Sequence, residues 1–116
     1  MVRHCRVESK RLKRFEEHSK WNFAHRVELM QAEIAYFIYY DNETALKHYK
    51  AAIDLAGKHK FPGERALALE RMAIFCEGTF QTNIAREYYE EAERAYRDWG
   101  ATRKADHVAR SSMEVS

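Results

Sequence analysis

Ala45-Leu46-Lys47-His48-Tyr49-Lys50-Ala51-Ala52 and Ala85-Arg86-Glu87-Tyr88-Tyr89-Glu90-Glu91-Ala92 decide the fold. Both read Ala-x3-Tyr-x2-Ala, and the second follows the first at an offset of 40. In the segments before them, Ala35 and Ala73 correspond at 38, and the intervening loop takes up the difference. Small residues three and four apart, with an aromatic one turn away, make a helix face that a second helix can approach closely. A face that recurs at this period implies helix–turn–helix units stacked in series. The predicted fold is therefore all-α. It is an α-solenoid of antiparallel helix pairs, a right-handed stack of about five helices and roughly two and a half units.

Working outward, residues 7–19 read as a basic leading helix with Val7, Leu12 and Phe15 as its apolar positions. Residues 22–58 form the first helix pair. In its first helix Phe23, Val27, Met30, Ile34 and Phe37 make one apolar stripe, and Leu29, Ala32, Tyr36 and Tyr39 make a second. Two stripes predict a helix covered from two sides. Asp41-Asn42-Glu43 breaks the pattern, and Thr44 is the expected cap of a helix running to Lys58. Residues 62–99 form the second pair, opened by Pro62, whose missing N–H costs nothing in a first helical turn. Thr79–Thr82 is the expected loop, Thr82 or Asn83 the cap, and Gly100 the C-terminal stop. Residues 101–112 form a terminal helix, with Met113–Ser116 expected to fray. All of it belongs to one helical-repeat domain, 1–116.

The 116 residues are 46% hydrophobic, 33% charged and 13% aromatic, with four glycines and one proline. That composition excludes a disordered tail and collagen-like or low-complexity sequence. The longest uncharged apolar run, Ile34–Tyr40, is far short of the ~20 residues a membrane span needs. Met1-Val2-Arg3-His4-Cys5-Arg6 lacks the apolar core of a signal peptide. Cys5 and Cys76 form no CxxC pair, so a reducing, cytoplasmic setting is expected, with Cys76 packed as a small hydrophobe. The net charge is +2, but residues 1–20 carry seven basic and three acidic side chains. A basic first helix of this kind can meet nucleic acid, although no exposed aromatics interleave its charges as in single-strand binders.

The run Ala73-x11-Ala85-x3-Tyr89-x2-Ala92 resembles the small–small–aromatic–small spacing of the tetratricopeptide repeat, without that repeat's usual tryptophan or terminal proline. A narrower resemblance rests on several phrases. They are Lys10-Arg11-Leu12-Lys13-Arg14-Phe15 with His18, Asn22-Phe23-Ala24-His25, Ala32-Glu33-Ile34-Ala35, and His59-x-Phe61 with Ala66-Leu67-Ala68-x-Glu70. The most specific is Tyr96-x2-Trp99-Gly100-Ala101-x2-Lys104. Together they resemble, over about residues 10–110, the tetratricopeptide-like helical-repeat segment of very large signalling kinases. In those proteins a serine/threonine-kinase-like domain and an AAA-type ATPase precede the repeats, and often a sensor histidine kinase follows. Ser19-Lys20-Trp21 departs from the proline that family has before its Asn-Phe. The resemblance implies a scaffold between catalytic domains.

The chain itself carries no GxxxxGK[ST] loop, no kinase HRD or DFG and no GxSxG elbow. His4, His18, His25, His48, His59 and His107 form no HxxxH or HExxH pair, so structural or surface roles are expected and no metal. Glu87, Glu90, Glu91 and Glu93 interleave with Arg86, Arg94 and Arg97 as intrahelical ion pairs would. The aromatic run Tyr36-Phe37-x-Tyr39-Tyr40 is expected to pack in the core, and Trp99 to plug the junction with the last helix. Ala35, Ala45, Tyr49, Ala52, Ala73, Ala85, Tyr89, Ala92, Tyr96 and Trp99 are the expected repeat-packing residues.

A partner face then has to come from the stack. Arg26, Gln31, Glu33, Arg65, Glu70 and Arg71 point away from the packing stripes on the first helices of the two pairs. Their mixed sign suits a peptide, a helix or a neighbouring domain of the same polypeptide. The expectation is a non-catalytic scaffold without a cofactor, off the membrane. It could self-associate through exposed solenoid ends, and it reads as a piece of something longer. The rivals are a stand-alone peptide-binding adaptor and, behind it, a nucleic-acid-binding helical module.

Overall fold

A computed structural model describes residues 23–115, and all the regular structure among them is helical. Helix α1 covers 23–37, α2 Asn42–Lys58, α3 Pro62–Gly78, α4 Thr82–Trp99 and α5 Thr102–Glu114. The helices pack mainly against their sequence neighbours, α2 on α3, α3 on α4 and α4 on α5. This is a compact, repeat-like arrangement. The predicted leading helix at 7–19 lies outside the described residues.

The turns are the most regular feature of the chain. Tyr40, Lys60, Phe80 and Gly100 hold positive φ, at 54°, 63°, 65° and 96°, one every twenty residues. After each, an N–H reaches back to a carbonyl of the helix just ended: Asp41 to Ala35, Phe61 to Ala56, Gln81 to Cys76 and Ala101 to Tyr96, all 2.8 Å. A left-handed residue with such a back-reaching bond is how a helix satisfies its last carbonyls and reverses direction. Only Gly100 adopts this geometry without steric cost; an L side chain pays about 1–2 kcal/mol there. Lys60→Gly and Phe80→Gly, both at exposed positions, should therefore each raise stability by about 0.5–1 kcal/mol after the entropic cost of glycine. Urea unfolding of the two variants reads this directly.

The same turns correct several boundaries. α1 stops at residue 37, because the chain has already turned at Ile38, whose N–H bonds Ile34 O at 3.0 Å. α2 is capped by Asp41, not Thr44: the Asp41 carboxylate accepts from both the Thr44 N–H (3.2 Å) and the Thr44 hydroxyl (2.6 Å). Those bonds hold the Asp41 carboxyl below its ordinary pKa. α4 starts at Thr82 after Gln81, with no side-chain cap, so neither Thr82 nor Asn83 caps it. α5 runs past 112 to Glu114, and Val115 is buried rather than frayed. The Arg86 guanidinium fixes that end by donating to Val115 O at 2.5 Å.

Alanine does most of the packing. Ala32, Ala35, Ala45, Ala52, Ala73, Ala85, Ala92 and Ala105 are all buried, so helix backbones meet without intervening side chains. Tyr49, Leu69, Met72 and Phe75 fill the space between the alanine contacts. Phe75 sits edge-on to Tyr36 (5.1 Å between centroids, 84°) and tilted against Tyr49 at 5.2 Å. α3 is buried along most of its length, since α1, α2 and α4 all lie against it.

Three apolar expectations meet exposed side chains among the described residues. The stripe Phe23, Val27, Met30, Ile34 and Phe37 is exposed, so α1 is covered on one side among the described residues, not two. Of the run Tyr36–Tyr40, only Tyr36 packs inward; Phe37 is exposed with the rest of its stripe on α1, and Tyr39 and Tyr40 are exposed because the helix has ended and the turn carries them outward. Trp99 also departs from expectation. It is 56% exposed, and the tip of its ring lies against the start of α3, where a Cβ added at Gly63 would come within 2.7 Å of it. Gly63 thus makes room for the ring, and the junction with α5 is closed by Ala101 and Ala105 instead.

Candidate interaction surface

On one side of the stack, α1, α3 and α5 are tied by carboxylates that each serve two helices. Glu33 of α1 accepts from the Tyr49 hydroxyl of α2 and from Arg71 of α3, the latter at 2.6 Å. One layer further on, Glu70 of α3 accepts from the Tyr96 hydroxyl of α4 (2.9 Å) and Lys104 of α5 (3.1 Å). In both layers an acid on one helix is held by a tyrosine from the next helix and a cation from the helix after that. Charge-assisted bonds of this kind satisfy groups that burial would otherwise penalise.

Glu77 accepts similarly from Tyr89 at 2.7 Å. Burial first, then the hydrogen bonds and charge of these carboxylates, pushes the Tyr49, Tyr89 and Tyr96 hydroxyls well above the ordinary phenol pKa. The folded state therefore favours neutral tyrosine. Its contribution is complete below the unfolded phenol value of about 10 and is lost as pH rises beyond it. Alkaline titration followed at once by tyrosinate absorbance and circular dichroism should show these hydroxyls ionising together with unfolding.

The six residues expected at a partner face are mostly engaged within the chain. Arg26 pairs with Glu64 at 2.7 Å, Glu33 with Arg71, and Arg65 with Glu91 of α4 at 2.8 Å. Glu70 is buried at 7% exposure, not presented to solvent, because α4 and α5 close over its position on α3. Gln31 is exposed. Arg26, at 59% side-chain exposure, keeps much of its surface free despite its pair. Its guanidinium, ahead of His25, holds the Glu64 carboxyl below the usual carboxylate range.

His25 is the one buried histidine among the described residues. Its ring stacks on Phe61 at 4.7 Å, and Nε2 lies 3.4 Å from Glu64 Oε1, a contact that is ionic only when the ring is protonated. With Leu29, Ala52 and Leu67 it lines a cavity of about 280 Å³ between α1 and α3. His48 Nδ1 contacts Glu28 at 2.6 Å, and His107 is exposed on α5. Among the described residues no three metal-ligating side chains converge. His4, His18 and Cys5 lie outside the described residues.

A further opening lies on another side of α3, and the sequence reading did not find it. α2 and α4 stand apart there, leaving a groove of about 400 Å³ floored by Met72 and Cys76 and walled by Leu46 and Ile84. A second recess of about 280 Å³ continues it over Leu69 and Ile53, the two sharing Lys50, Tyr88 and Glu91. The floor is apolar and the rims are charged, with Lys50 and Asp54 on α2 and Glu87 and Glu91 on α4. Burial pushes the Cys76 thiol up to about 11, so it lines the groove as an un-ionised apolar group. The acidic run on α4 is thereby divided: Glu91 reaches Arg65 and faces the groove, while Glu93 pairs with Arg97 at 2.8 Å.

Comparison with protein-family profiles, curated proteins and solved structures finds no match for the chain. No helix among the described residues is long and apolar enough to cross a membrane.

Proposed function

We propose that this chain is a non-catalytic, tetratricopeptide-like α-solenoid segment that binds protein, working in the cytoplasm as a contact or coupling element of a multidomain signalling kinase. The single observation that carries the reading is the groove between α2 and α4. Above its buried floor, Leu46, Ile53 and Ile84 offer accessible apolar area, and its rims offer charges of both signs. Apolar contact supplies affinity and flanking charges set register, which is how a groove takes the apolar face of an amphipathic helix or peptide. The kinase context comes from the resemblance of Tyr96-x2-Trp99-Gly100-Ala101-x2-Lys104 and its companions, and it stands on those residues. A stand-alone adaptor would use the same groove.

Selection of displayed peptides on the purified chain tests this. The expected winners carry apolar residues three and four apart with lysine or arginine beside them, facing Asp54, Glu87 and Glu91. Their binding should fall at least tenfold with Ile84→Glu, on the groove wall. Failure to enrich any such peptide, or binding unaffected by Ile84→Glu, contradicts the groove. Tight binding of a duplex oligonucleotide that collapses between low and moderate salt would instead favour the nucleic-acid reading.

A further inference from the structure

The five most exposed large apolar side chains among the described residues are Phe80, Met113, Tyr40, Tyr39 and Ile38, from 90% down to 62%. All five sit at one end of the stack. Tyr40 and Phe80 are the left-handed residues of the α1–α2 and α3–α4 turns, and Met113 is in the last turn of α5. The Tyr36 hydroxyl lies against Gly78, which brings these two turns together. Arg86, near the start of α4, donates to Val115 O and so holds the end of α5 beside them.

These side chains do little for the fold. Positive φ disfavours any L side chain, and glycine would relieve both Tyr40 and Phe80. Among the described residues no side-chain hydrogen bond or ring contact holds Tyr39, Tyr40 or Phe80. Strained backbone that presents unpacked rings to solvent is the geometry of a contact surface. An exposed apolar patch with a polar rim carries the same meaning.

The rim decides the partner. Segments 37–44, 77–83 and 111–115 build this end, and they hold Asp41, Glu43, Glu77 and Glu114 but no lysine, arginine or histidine. Arg86 reaches in from α4, but its guanidinium is taken by Val115 O. Asp41 caps α2 and Glu77 holds Tyr89, whereas Glu43 and Glu114 have no ion pair among the described residues. We propose that this end is a docking surface for an arginine-bearing, otherwise apolar segment of a partner protein. Arginine suits both parts of the surface, because its guanidinium stacks on aromatic faces and is drawn to carboxylates. Ile38 and Met113 offer apolar contact beside it. The opposite end carries Lys58, Lys60, Arg97 and Arg103 around its turns, the wrong sign for such a partner. None of the five apolar residues lines the α2–α4 groove, so the proposal does not depend on what the groove binds.

The test adds a hexapeptide of alternating arginine and leucine to the full chain, with glutamate in place of arginine in a control peptide. Amide NMR shifts are expected at 38–43, 77–81 and 113–114, absent with the control and weaker as salt is raised. Phe80→Gly and Tyr40→Gly should each weaken binding at least fivefold while their urea midpoints stay level or rise, which separates lost contact from lost folding. Should either variant not fold, Glu43→Gln, at an exposed position, gives the same reading through charge alone. Binding abolished by Ile84→Glu but indifferent to Phe80→Gly would place the peptide in the groove and overturn the proposal. Equal binding of the acidic control, or no binding at millimolar peptide, would also overturn it. So would self-association of the unaltered chain that Phe80→Gly disperses, since a second copy would then cover this end.

Discussion

Replacing Phe75 by alanine should lower the unfolding free energy by about 3–5 kcal/mol, the largest effect expected of any single truncation in this chain. The ring is 2% exposed at the meeting point of α1, α2 and α3, in contact with Tyr36 and Tyr49. Its neighbours cannot close the gap, because the backbones around it already touch through alanines. Ala32, Ala35, Ala45 and Ala73, buried in the same cluster, are too short to move into the space. Urea unfolding should show a lower midpoint with an unchanged slope. A change of less than about 1 kcal/mol would mean the three helices are not packed around this ring.

The second large effect concerns Glu70, and it depends on its partner. Glu70→Leu should destabilise by about 1–3 kcal/mol, because it leaves the buried Tyr96 hydroxyl without its acceptor. It also removes the acceptor of Lys104, although that ammonium is 43% exposed and can turn to water. Tyr96→Phe alone should cost a similar amount, by leaving one carboxylate oxygen short of a donor. The double variant should then recover much of the loss, since neither polar group is left unpaired. A double-mutant cycle measures the recovery as a coupling energy. Strict additivity of the two single effects would show that the hydrogen bond contributes nothing of its own.

How far the sequence speaks for this molecule depends on the kind of residue. Buried alanines were legible because their spacing repeats: Ala45, Ala52, Ala85 and Ala92 lie where the Ala-x3-Tyr-x2-Ala pattern puts them, all with no exposure. Gly100 was legible as a helix stop because glycine is the residue that takes positive φ freely. The equivalent turns at Tyr40, Lys60 and Phe80 carried no such mark. There the tertiary stack imposes a conformation that the side chains do not prefer, and so the end of α1 was misplaced. Hydrophobic periodicity likewise located the stripe from Phe23 to Phe37, but periodicity gives a face and not the element that covers it.

The candidate surface was less legible than the fold. Sequence register placed Arg26, Glu33, Arg65, Glu70 and Arg71 outside the packing stripes, yet interhelical acid–base pairs join helices at separations that register cannot foresee. Arg71 and Glu33 are 38 residues apart, and Lys104 and Glu70 are 34 apart. The groove was hidden for the converse reason. Cys76 reads as a small core hydrophobe, and only the gap between α2 and α4 leaves it lining an opening with Leu46, Met72 and Ile84. A signal did exist. Cys76 and Phe75 lie about 100° apart around α3, and a helix apolar on more than one face has more than one surface to cover.

The groove can be tested most directly by following the amide and methyl NMR signals of the chain as a selected basic amphipathic peptide is added. The account predicts that shifts concentrate at Leu46, Leu69, Met72, Ile84 and Tyr88, with Arg26 and Arg71 unmoved. Shifts confined to the α1–α3–α5 side, with the α2–α4 groove silent, would contradict it.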